Sequence, residues 1–372
     1  MTSGRLKVMI VINDFLVGGA QRMMAELCSR IDRERFDIEL VTLCQFKEQS
    51  TMYHLVPNDV PVHKLNFRGF WDMAQWLALW RLLHIKNPDV VLSNLFFSNT
   101  VTRIIGLVRS YRVIVVEHNT YIAKTYLQIL FDRILALRTA AIVAVSQNVL
   151  DFTVRQEDIS ATKFVRIENG VAIEEIAKIV SSTDRNLVRK ELGIAADAPV
   201  IISVGRLVTQ KNPELLVSGF AHFARTHPLH HLVLLGDGPL RLKIQTLIRE
   251  KGIASRVHIL GSRADVYRYY AISEFFVSTS SIEGLSMAHI EALASGVPLL
   301  ATRTAGSEEV IREGVNGFFI EKADTESVAD RMETMAQMDV GKIKEGARES
   351  ARQYDISVTV KKYESLLRPN DK

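Results

Sequence analysis

A chain of 372 residues, 47% of them hydrophobic, is longer than one hydrophobic core usually supports, so two domains are expected. The formal net charge of +4 is spread along the chain without an arginine-rich run, which argues against nucleic-acid binding and favours an anionic small substrate or a membrane surface. Cys28 and Cys44, the two cysteines, cannot build a disulfide framework or a thiolate metal site, so a reducing, cytoplasmic compartment is expected. No run of about 18 apolar residues is present, and any membrane contact is expected to be peripheral.

The first half of the chain alternates short β-branched runs with amphipathic helical stretches, which is typical of parallel α/β structure. The runs are largely apolar rather than alternating, as expected of strands buried on both faces. Predicted strands span 7–12, 37–43, 60–65, 89–94, 112–118, 141–146 and 163–169. A polar stretch without a strand candidate follows Asn169 and Gly170, and we place the hinge there.

The second half repeats the same alternation, with predicted strands at 200–205, 231–237, 257–261, 274–280, 298–303 and 317–322. We therefore predict an α/β fold of two Rossmann-like, doubly wound parallel-sheet domains that face each other across a cleft. Their predicted extents are 1–170 and 171–350, and the tail 351–372 is predicted to be a helix that packs back on the first domain.

Candidate site residues in the first half follow predicted strands, because open parallel sheets bind ligands beyond the carboxyl ends of their strands. Gly18 and Gly19 open a helix after the first strand, where backbone amides could hold an anion; a tight turn that needs glycine is an equal alternative. His118 ends the fifth predicted strand within reach of a ligand, although a lone histidine there more often has a structural hydrogen bond.

The second half carries the more informative charges. Gly205, Arg206 and Lys211 follow the first strand of that domain, and a forked guanidinium together with an ammonium suits a diphosphate. Glu283 and Glu291 are eight residues apart around the start of a helix, so both carboxylates can point toward one hydroxyl-rich ligand. A solvated basic loop and a solvated helix face are the alternatives. The small, apolar surroundings of the two glutamates argue against the second.

Other site classes have little support. The segment GDGPLR at 236–241 resembles a dinucleotide fingerprint but lacks its last glycine and a following ribose-binding acid. The sequence has no histidine cluster at metal-ligand spacing and no G-x-S-x-G motif, so we predict neither a metal site nor a hydrolase.

Several motifs occur in a recognisable order. They are GGAQR near the start, EHN at 117–119, AVSQ at 144–147, IENG at 167–170, GRLVTQKN at 205–212, GDGP at 236–239, EGLSMAHIEALASGVP at 283–298 and AGSEEVIREGVNGFFI at 305–320, followed by Asp324. The chain resembles glycosyltransferase family 4, the retaining group 1 enzymes of the GT-B fold, over most of its length. The Glu-x7-Glu element with its small-residue continuation is the most specific part of the match.

The resemblance implies transfer of a hexose or N-acetylhexosamine from a nucleotide diphosphate sugar, with UDP favoured and GDP as the alternative, and no metal or other cofactor. The implied acceptor is a glycan or lipid-linked saccharide in cell-surface polysaccharide or lipopolysaccharide synthesis. Arg206 and Lys211 look like the diphosphate clamp, and Glu291 looks like the ribose ligand. His118 is similar to the family histidine beside the transferred sugar, and Gly19 resembles a loop glycine near the donor phosphates.

Glu283 looks like the donor-sugar contact, together with the backbone amides that follow it. Those amides belong to Gly284, Leu285, Ser286 and Met287. Leu285 and Ser286 stand where many members carry Phe-Gly, and Ala305 replaces the first glycine of a common Gly-Gly pair, which makes the donor sugar harder to name. The resemblance also implies front-face attack with retention of configuration.

The acceptor is less determined. One predicted helix holds all three tryptophans, Trp71, Trp76 and Trp80, together with basic residues. This combination favours a membrane interface, although packing against the sheet is the commoner use. A lipid-linked saccharide is the expected acceptor. Two alternatives share the architecture: a sugar-nucleotide 2-epimerase, and a non-catalytic sugar-nucleotide-binding protein, which retention of the charged residues disfavours.

Overall fold

The computed structural model describes residues 4–46, 51–121, 124–338 and 340–368. The chain divides into two compact units, Met1–Asn169 with Ile356–Lys372, and Gly170–Asp355. Each unit is built on one parallel sheet flanked by helices, and the predicted α/β fold of two Rossmann-like domains is confirmed.

The first unit holds a seven-stranded sheet in the order β3-β2-β1-β4-β5-β6-β7. Its strands are β1 (Leu6–Ile12), β2 (Phe36–Thr42), β3 (Val62–Lys64), β4 (Val90–Asn94), β5 (Arg112–Glu117), β6 (Ala141–Ala144) and β7 (Phe164–Arg166). The order reverses between β1 and β4, which is the point where ligands of such sheets bind.

Five helices connect these strands: α1 (Gly19–Arg30), α2 (Met73–Lys86), α3 (Phe96–Gly106), α4 (Tyr126–Ala136) and α5 (Gln147–Glu157). Short 3-10 helices lie at Tyr53–Leu55 and Ala161–Lys163. Leu79 and Leu83 of α2 pack with Val101 and Ile105 of α3 in one apolar cluster over the central strands. The two helices therefore cover the same face of the sheet.

The second unit holds a six-stranded sheet in the order β10-β9-β8-β11-β12-β13. The strands are β8 (Val200–Val204), β9 (His231–Leu235), β10 (Val257–Gly261), β11 (Phe275–Ser278), β12 (Leu299–Thr302) and β13 (Gly317–Ile320). The helices are α6 (Ile173–Ser182), α7 (Arg185–Glu191), α8 (Pro213–Phe223), α9 (Arg241–Glu250), α10 (Val266–Ala271), α11 (Met287–Ala294), α12 (Ala305–Val310), α13 (Thr325–Ala336) and α14 (Val340–Ala351). The strand order reverses between β8 and β11, which places a binding crevice at their carboxyl ends.

The polar stretch in which we placed the hinge forms α6 and α7, and both helices contact α10. The change of unit comes before them, at Asn169 and Gly170. At the other end of the second unit, the Val171 amide donates to the Tyr354 carbonyl at 2.9 Å, so residues 351–355 stay with this unit.

The last helix, α15 (Ile356–Leu367), belongs to the first unit. The Glu364 carboxylate accepts from the Asp32 amide at 2.9 Å and pairs with Arg35 at 3.1 Å. The Arg112 guanidinium donates to the Leu367 carbonyl at 2.7 Å. Among the described residues, no helix is long and apolar enough to cross a membrane.

Candidate functional site

The loop after β8 is held in place by the GDGP segment after β9. The Gly205 amide donates to the Leu235 carbonyl at 2.9 Å, and the Leu207 amide donates to the Asp237 carbonyl at 2.9 Å. Gly236 has φ +133° and lies so close to Gly205 that a Cβ would overlap its carbonyl. The glycines that resemble a dinucleotide fingerprint therefore have a structural reason here, because they let two site loops pack backbone to backbone.

Lys211 ends a short 3-10 helix, Thr209–Lys211. Asn212 follows in the left-handed conformation with φ 47°, and Pro213 occupies the first turn of α8. This turn directs the Lys211 side chain past Gly205, so that a Cβ placed on Gly205 would lie 3.6 Å from the Lys211 side chain. The Lys211 ammonium then forms an ion pair with Glu283. Arg206, by contrast, is exposed beside the same loop.

Glu283 is fixed from several directions after β11. Its Oε1 atom accepts from the Ser280 hydroxyl at 2.8 Å, and its backbone carbonyl accepts from the Gly306 amide at 2.9 Å. The residue is only 6% exposed. Burial on its own raises the pKa of the Glu283 carboxyl, but the Lys211 ammonium and the hydrogen bonds outweigh burial and hold the pKa below its ordinary value. Glu283 is therefore ionised at neutral pH.

One cavity brings these loops together at the carboxyl ends of β8 and β11. Its lining includes Gly205, Arg206, Lys211, Glu283 and Ser286. Two cations, one carboxylate and hydroxyl groups thus converge within one concave site, a combination that can bind a ligand with both anionic and hydroxyl groups.

The start of α11 is packed tightly against the cavity. Leu285, Ser286 and Met287 are buried there, and the carbonyl of Gly284 lies so close to Gly306 that a Cβ on Gly306 would overlap it. A glycine is therefore required at position 306 by the approach of two backbones.

Glu291 is the fifth residue of α11 and is 5% exposed. Its Oε1 atom accepts from the Tyr267 hydroxyl at 3.4 Å. The described residues that line the cavity do not include Glu291. The ribose role of Glu291 therefore stays a prediction.

In the first unit, Gly18 precedes α1 in an extended conformation, with φ −172° and ψ 161°, which any residue can adopt. A Cβ on Gly18 would instead overlap the side chain of Gln21, whose amide donates to Asp14 at 3.0 Å. Neither the dihedral angles nor the backbone therefore require a glycine here, and a side chain at position 18 would only displace the Gln21 amide from Asp14. Gly19 is the first residue of α1.

His118 follows β5 and is buried, and its Nε2 atom lies 3.1 Å from the Asn94 side-chain oxygen. An amide oxygen only accepts, so Nε2 donates and Nδ1 is left as the acceptor. Burial lowers the pKa of His118 to about 4, and the ring is neutral at pH 7. The structural hydrogen bond that a lone histidine at this place commonly forms is therefore present. The Nδ1 atom can still accept a hydrogen bond from a hydroxyl group.

Sequence reasoning missed two positioning residues, Ser280 for Glu283 and Asn94 for His118. Both end predicted strands, so applying the strand-end rule to neutral side chains would have found them. Among the described residues, no group of three histidine, cysteine or acidic side chains is placed to hold a metal ion.

The tryptophan segment divides between surface and core. The Trp76 indole nitrogen donates to the Phe70 carbonyl at 2.8 Å, and the ring packs edge-on against Phe67. Trp71 and Trp80 are exposed, with the Arg109 guanidinium 5.0 Å from the Trp80 ring. Two of the three tryptophans are therefore accessible.

Two solved or curated proteins illustrate what the chain is similar to at full length. A UDP-Gal:alpha-D-GlcNAc-diphosphoundecaprenol alpha-1,3-galactosyltransferase of Escherichia coli is 24% identical over 344 residues, which cover 88% of this chain and 87% of that protein. The crystal structure of Anabaena HepE in complex with UDP-glucose matches with a TM-score of 0.83 and 20% identity, over 98% of this chain and 99% of that one. At that identity the structural match shows the fold alone.

A third relative matches over a shorter region. The lipopolysaccharide core biosynthesis glycosyltransferase LpsE of Rhizobium meliloti is 34% identical over 145 residues, or 39% of this chain, and the chain spans 42% of its length. Two family models also match, Glycosyltransferase Family 4 over residues 17–175 and Glycosyl transferases group 1 over residues 184–354. Together these two models cover most of the sequence, and the chain belongs to the group 1 glycosyltransferases of family 4, with the GT-B fold.

Proposed function

We propose that the chain is a retaining, metal-independent glycosyltransferase that moves a hexose or N-acetylhexosamine from a nucleoside diphosphate sugar to a glycan or lipid-linked saccharide in cell-surface polysaccharide synthesis. The observation that carries the proposal is the convergence of Arg206, Lys211 and Glu283 on one cavity at the switch point of the second sheet. UDP is the favoured nucleotide. It is the nucleotide in the HepE complex and in the name of the E. coli galactosyltransferase, which also names a lipid-linked acceptor.

The two cations supply what departure of a nucleoside diphosphate needs. When the bond between the anomeric carbon and the phosphate oxygen breaks, its electron pair stays on the diphosphate, and negative charge grows there. Arg206 can donate two parallel hydrogen bonds to phosphate oxygens, and Lys211 acts as a point charge. Because that charge is larger in the transition state than in the bound donor, fixed cations lower the barrier preferentially.

The sugar is held by side chains that pair with hydroxyl groups. The ionised Glu283 carboxylate accepts hydrogen bonds from hydroxyl groups of the donor sugar, and the Ser286 hydroxyl in the same cavity can donate or accept one. In the retaining mechanism the acceptor oxygen attacks from the face that the diphosphate leaves, and a phosphate oxygen takes the acceptor proton. The anomeric configuration of the product, measured by proton coupling constants, checks this step.

The donor is identified first by thermal denaturation with UDP-, GDP- and ADP-sugars. Binding to the folded state at a hundredfold excess over Kd adds about 2.7 kcal/mol to the free energy of unfolding. We expect a UDP-sugar to raise Tm, and product formation with an acceptor to continue in EDTA. Release of free nucleotide without any acceptor dependence would favour the 2-epimerase, and binding without turnover would favour the non-catalytic protein.

The clamp is tested with Arg206→Ala and Lys211→Ala. Loss of one electrostatic contact that strengthens in the transition state typically lowers the rate by about 10²–10³. We expect single-turnover rates at saturating donor to fall by this factor, and donor affinity to fall less. Arg249→Ala, at an exposed arginine on α9, is the matched control and should keep the parent rate. A clamp variant with the parent rate at saturation would reduce that residue to a binding contact.

A further inference from the structure

His289, the third residue of α11, is a fully buried histidine. It is 1% exposed, and neither of its ring nitrogens has a hydrogen-bond partner among the described residues. Burial lowers the pKa of His289 to about 4, so the ring is neutral at pH 7 and carries one N–H donor and one acceptor nitrogen. A donor and an acceptor that stay unpaired inside a protein reduce its stability. Their presence in this fold therefore needs a reason.

The His289 ring lies behind the wall of the cavity at β8 and β11. Phe276 lines this cavity, and its ring packs edge-on against His289 with 5.5 Å between the ring centroids. Side chains of a helix point toward its N-terminus, so His289 leans toward the loop that holds Glu283. The charge of Glu283 acts to raise the pKa of His289 and that of Lys211 acts to lower it, although burial outweighs both. The ring is therefore within electrostatic reach of the ion pair.

The Glu283 carboxylate is held through one of its two oxygens. The Lys211 ammonium and the Ser280 hydroxyl both donate to Oε1. The second oxygen can accept further hydrogen bonds. Because Glu283 is only 6% exposed, a donor to that oxygen has to come from the interior of the unit or from a bound ligand. The His289 N–H is a neighbouring donor that no other described residue uses.

The proposed function gives Lys211 two partners in turn. Its ammonium is paired with Glu283 in the structure, and in the clamp it binds the diphosphate of the donor. A diphosphate carries more negative charge than a carboxylate and therefore attracts the ammonium away from Glu283. Glu283 would then be a buried, ionised carboxylate without its counter-charge, which is strongly unfavourable. A second hydrogen-bond donor for Glu283 reduces this cost.

We propose that His289 is a positioning residue, whose N–H binds the Glu283 carboxylate when Lys211 moves to the diphosphate of the bound donor. The proposal rests on the proposed function, because that function supplies the diphosphate. A turn of the Glu283 carboxylate toward α11 completes the exchange and keeps Glu283 oriented by a hydrogen bond. The nitrogens that are unpaired in the free protein thus acquire a partner in the bound one. A histidine retained only for its edge contact with Phe276 would not need them.

The first experiment compares His289→Leu with the parent. Leucine fills much of the same space without polar atoms, so the free variant should have a higher Tm. The dissociation constant for UDP, measured by calorimetry, should rise at least about tenfold, the factor that corresponds to loss of a hydrogen bond to a charged group. The single-turnover rate at saturating donor should stay within about threefold of the parent, because the exchange is complete once the donor is bound.

Two conservative variants and one control accompany this comparison. His289→Asn places an amide N–H near the position of Nδ1, and His289→Gln places one near that of Nε2, so at least one of them should bind UDP about threefold tighter than His289→Leu. His230→Leu is the matched control, because His230 is buried and its Nδ1 has no hydrogen-bond partner among the described residues, but it precedes β9 at the opposite edge of the sheet. This variant should bind UDP like the parent.

A comparison without nucleotide tests the pairing separately from the proposed function. In Lys211→Ala the ammonium is absent, so His289 should bind Glu283 in the free protein. His289→Leu should then lower Tm in the Lys211→Ala background at pH 8, although it raises Tm in the parent background.

Four results would overturn the proposal. They are an equal rise in Tm in both backgrounds, a lower Tm of His289→Leu in the parent background, UDP binding by His289→Leu that matches the parent, and amide variants that bind UDP no better than His289→Leu. A parent that binds no UDP would count against the proposed function, and the Tm comparison in the two backgrounds would still decide whether His289 pairs with Glu283.

Discussion

The ion pair between Lys211 and Glu283 predicts an asymmetric response to mutation. The side chain of Glu283 is 8% exposed and that of Lys211 is 25% exposed. Lys211→Ala therefore leaves a buried carboxylate without its counter-charge, and breaking a buried pair in this way costs about 3–5 kcal/mol. Glu283→Gln keeps the shape of the side chain and leaves Lys211 able to reach water, so we expect a cost of about 1 kcal/mol.

The contribution of Glu283 to the free energy of unfolding changes with pH in opposite directions in the parent and in Lys211→Ala. In the parent, the pKa of Glu283 lies below its ordinary value, so its stabilising contribution is complete above the unfolded pKa and is lost as pH falls through the folded one. In Lys211→Ala, the burial of Glu283 is no longer outweighed, and its folded pKa rises above the unfolded value. That variant therefore loses stability as pH rises through the interval between these two values. The difference between parent and variant should be larger at pH 8 than at pH 5.

The assay is urea unfolding of the parent, both single variants and the double variant at the two pH values. Adding Glu283→Gln to Lys211→Ala should restore stability, because the unpaired carboxylate is removed. Equal stability of the two single variants at pH 8 would refute the reasoning. A double variant that is less stable than Lys211→Ala would also refute it.

Two further predictions concern the nucleotide and the first unit. Glu291→Ala should weaken donor binding by about 1.5–3 kcal/mol, the worth of a hydrogen bond to a charged group, and an unchanged dissociation constant by calorimetry would remove the ribose role. His118 has a pKa of about 4 when folded, so the unfolded chain, with an ordinary value near 6.5, takes up the proton first as pH falls. The parent should then lose about 2 kcal/mol of stability at this residue between pH 7 and pH 5. His118→Asn should show a shallower pH dependence in thermal denaturation, and an equally steep one would contradict the assignment.

All the predicted strands are present because parallel strands buried on both faces leave a strong signal, a short apolar run bounded by turn residues. The predicted positions of the strand ends are less accurate. The strand predicted at 163–169 is confined to Phe164–Arg166, since its neighbour β6 supplies only three paired positions. The strand predicted at 274–280 ends at Ser278, and Ser280 turns into the cavity to bind Glu283. Apolar runs show which segments become strands, but pairing partners determine where they stop.

The candidate site was predictable in its residue types and not in its contacts. Charged residues after strand ends identified Arg206, Lys211 and Glu283, because the strand-end rule applies to any doubly wound sheet. The pairing of Lys211 with Glu283 joins residues 72 positions apart, and no local spacing encodes it. The same is true of His118 and Asn94, which meet only because β4 and β5 are neighbours.

Helix α4 shows where periodicity alone fails. The segment YLQILFDRILA is apolar on more than one side, so its sequence favours a helix without saying which side faces the sheet. The choice is made by Arg103 and Lys124, one on α3 and the other before α4, which draw Asp132 inward. With that carboxylate paired inside, the opposite side of the helix faces outward, where Leu127 is 65% and Phe131 58% exposed. An apolar stripe displaced outward by buried ion pairs differs physically from an isolated surface leucine, because the unit's own stability maintains its exposure.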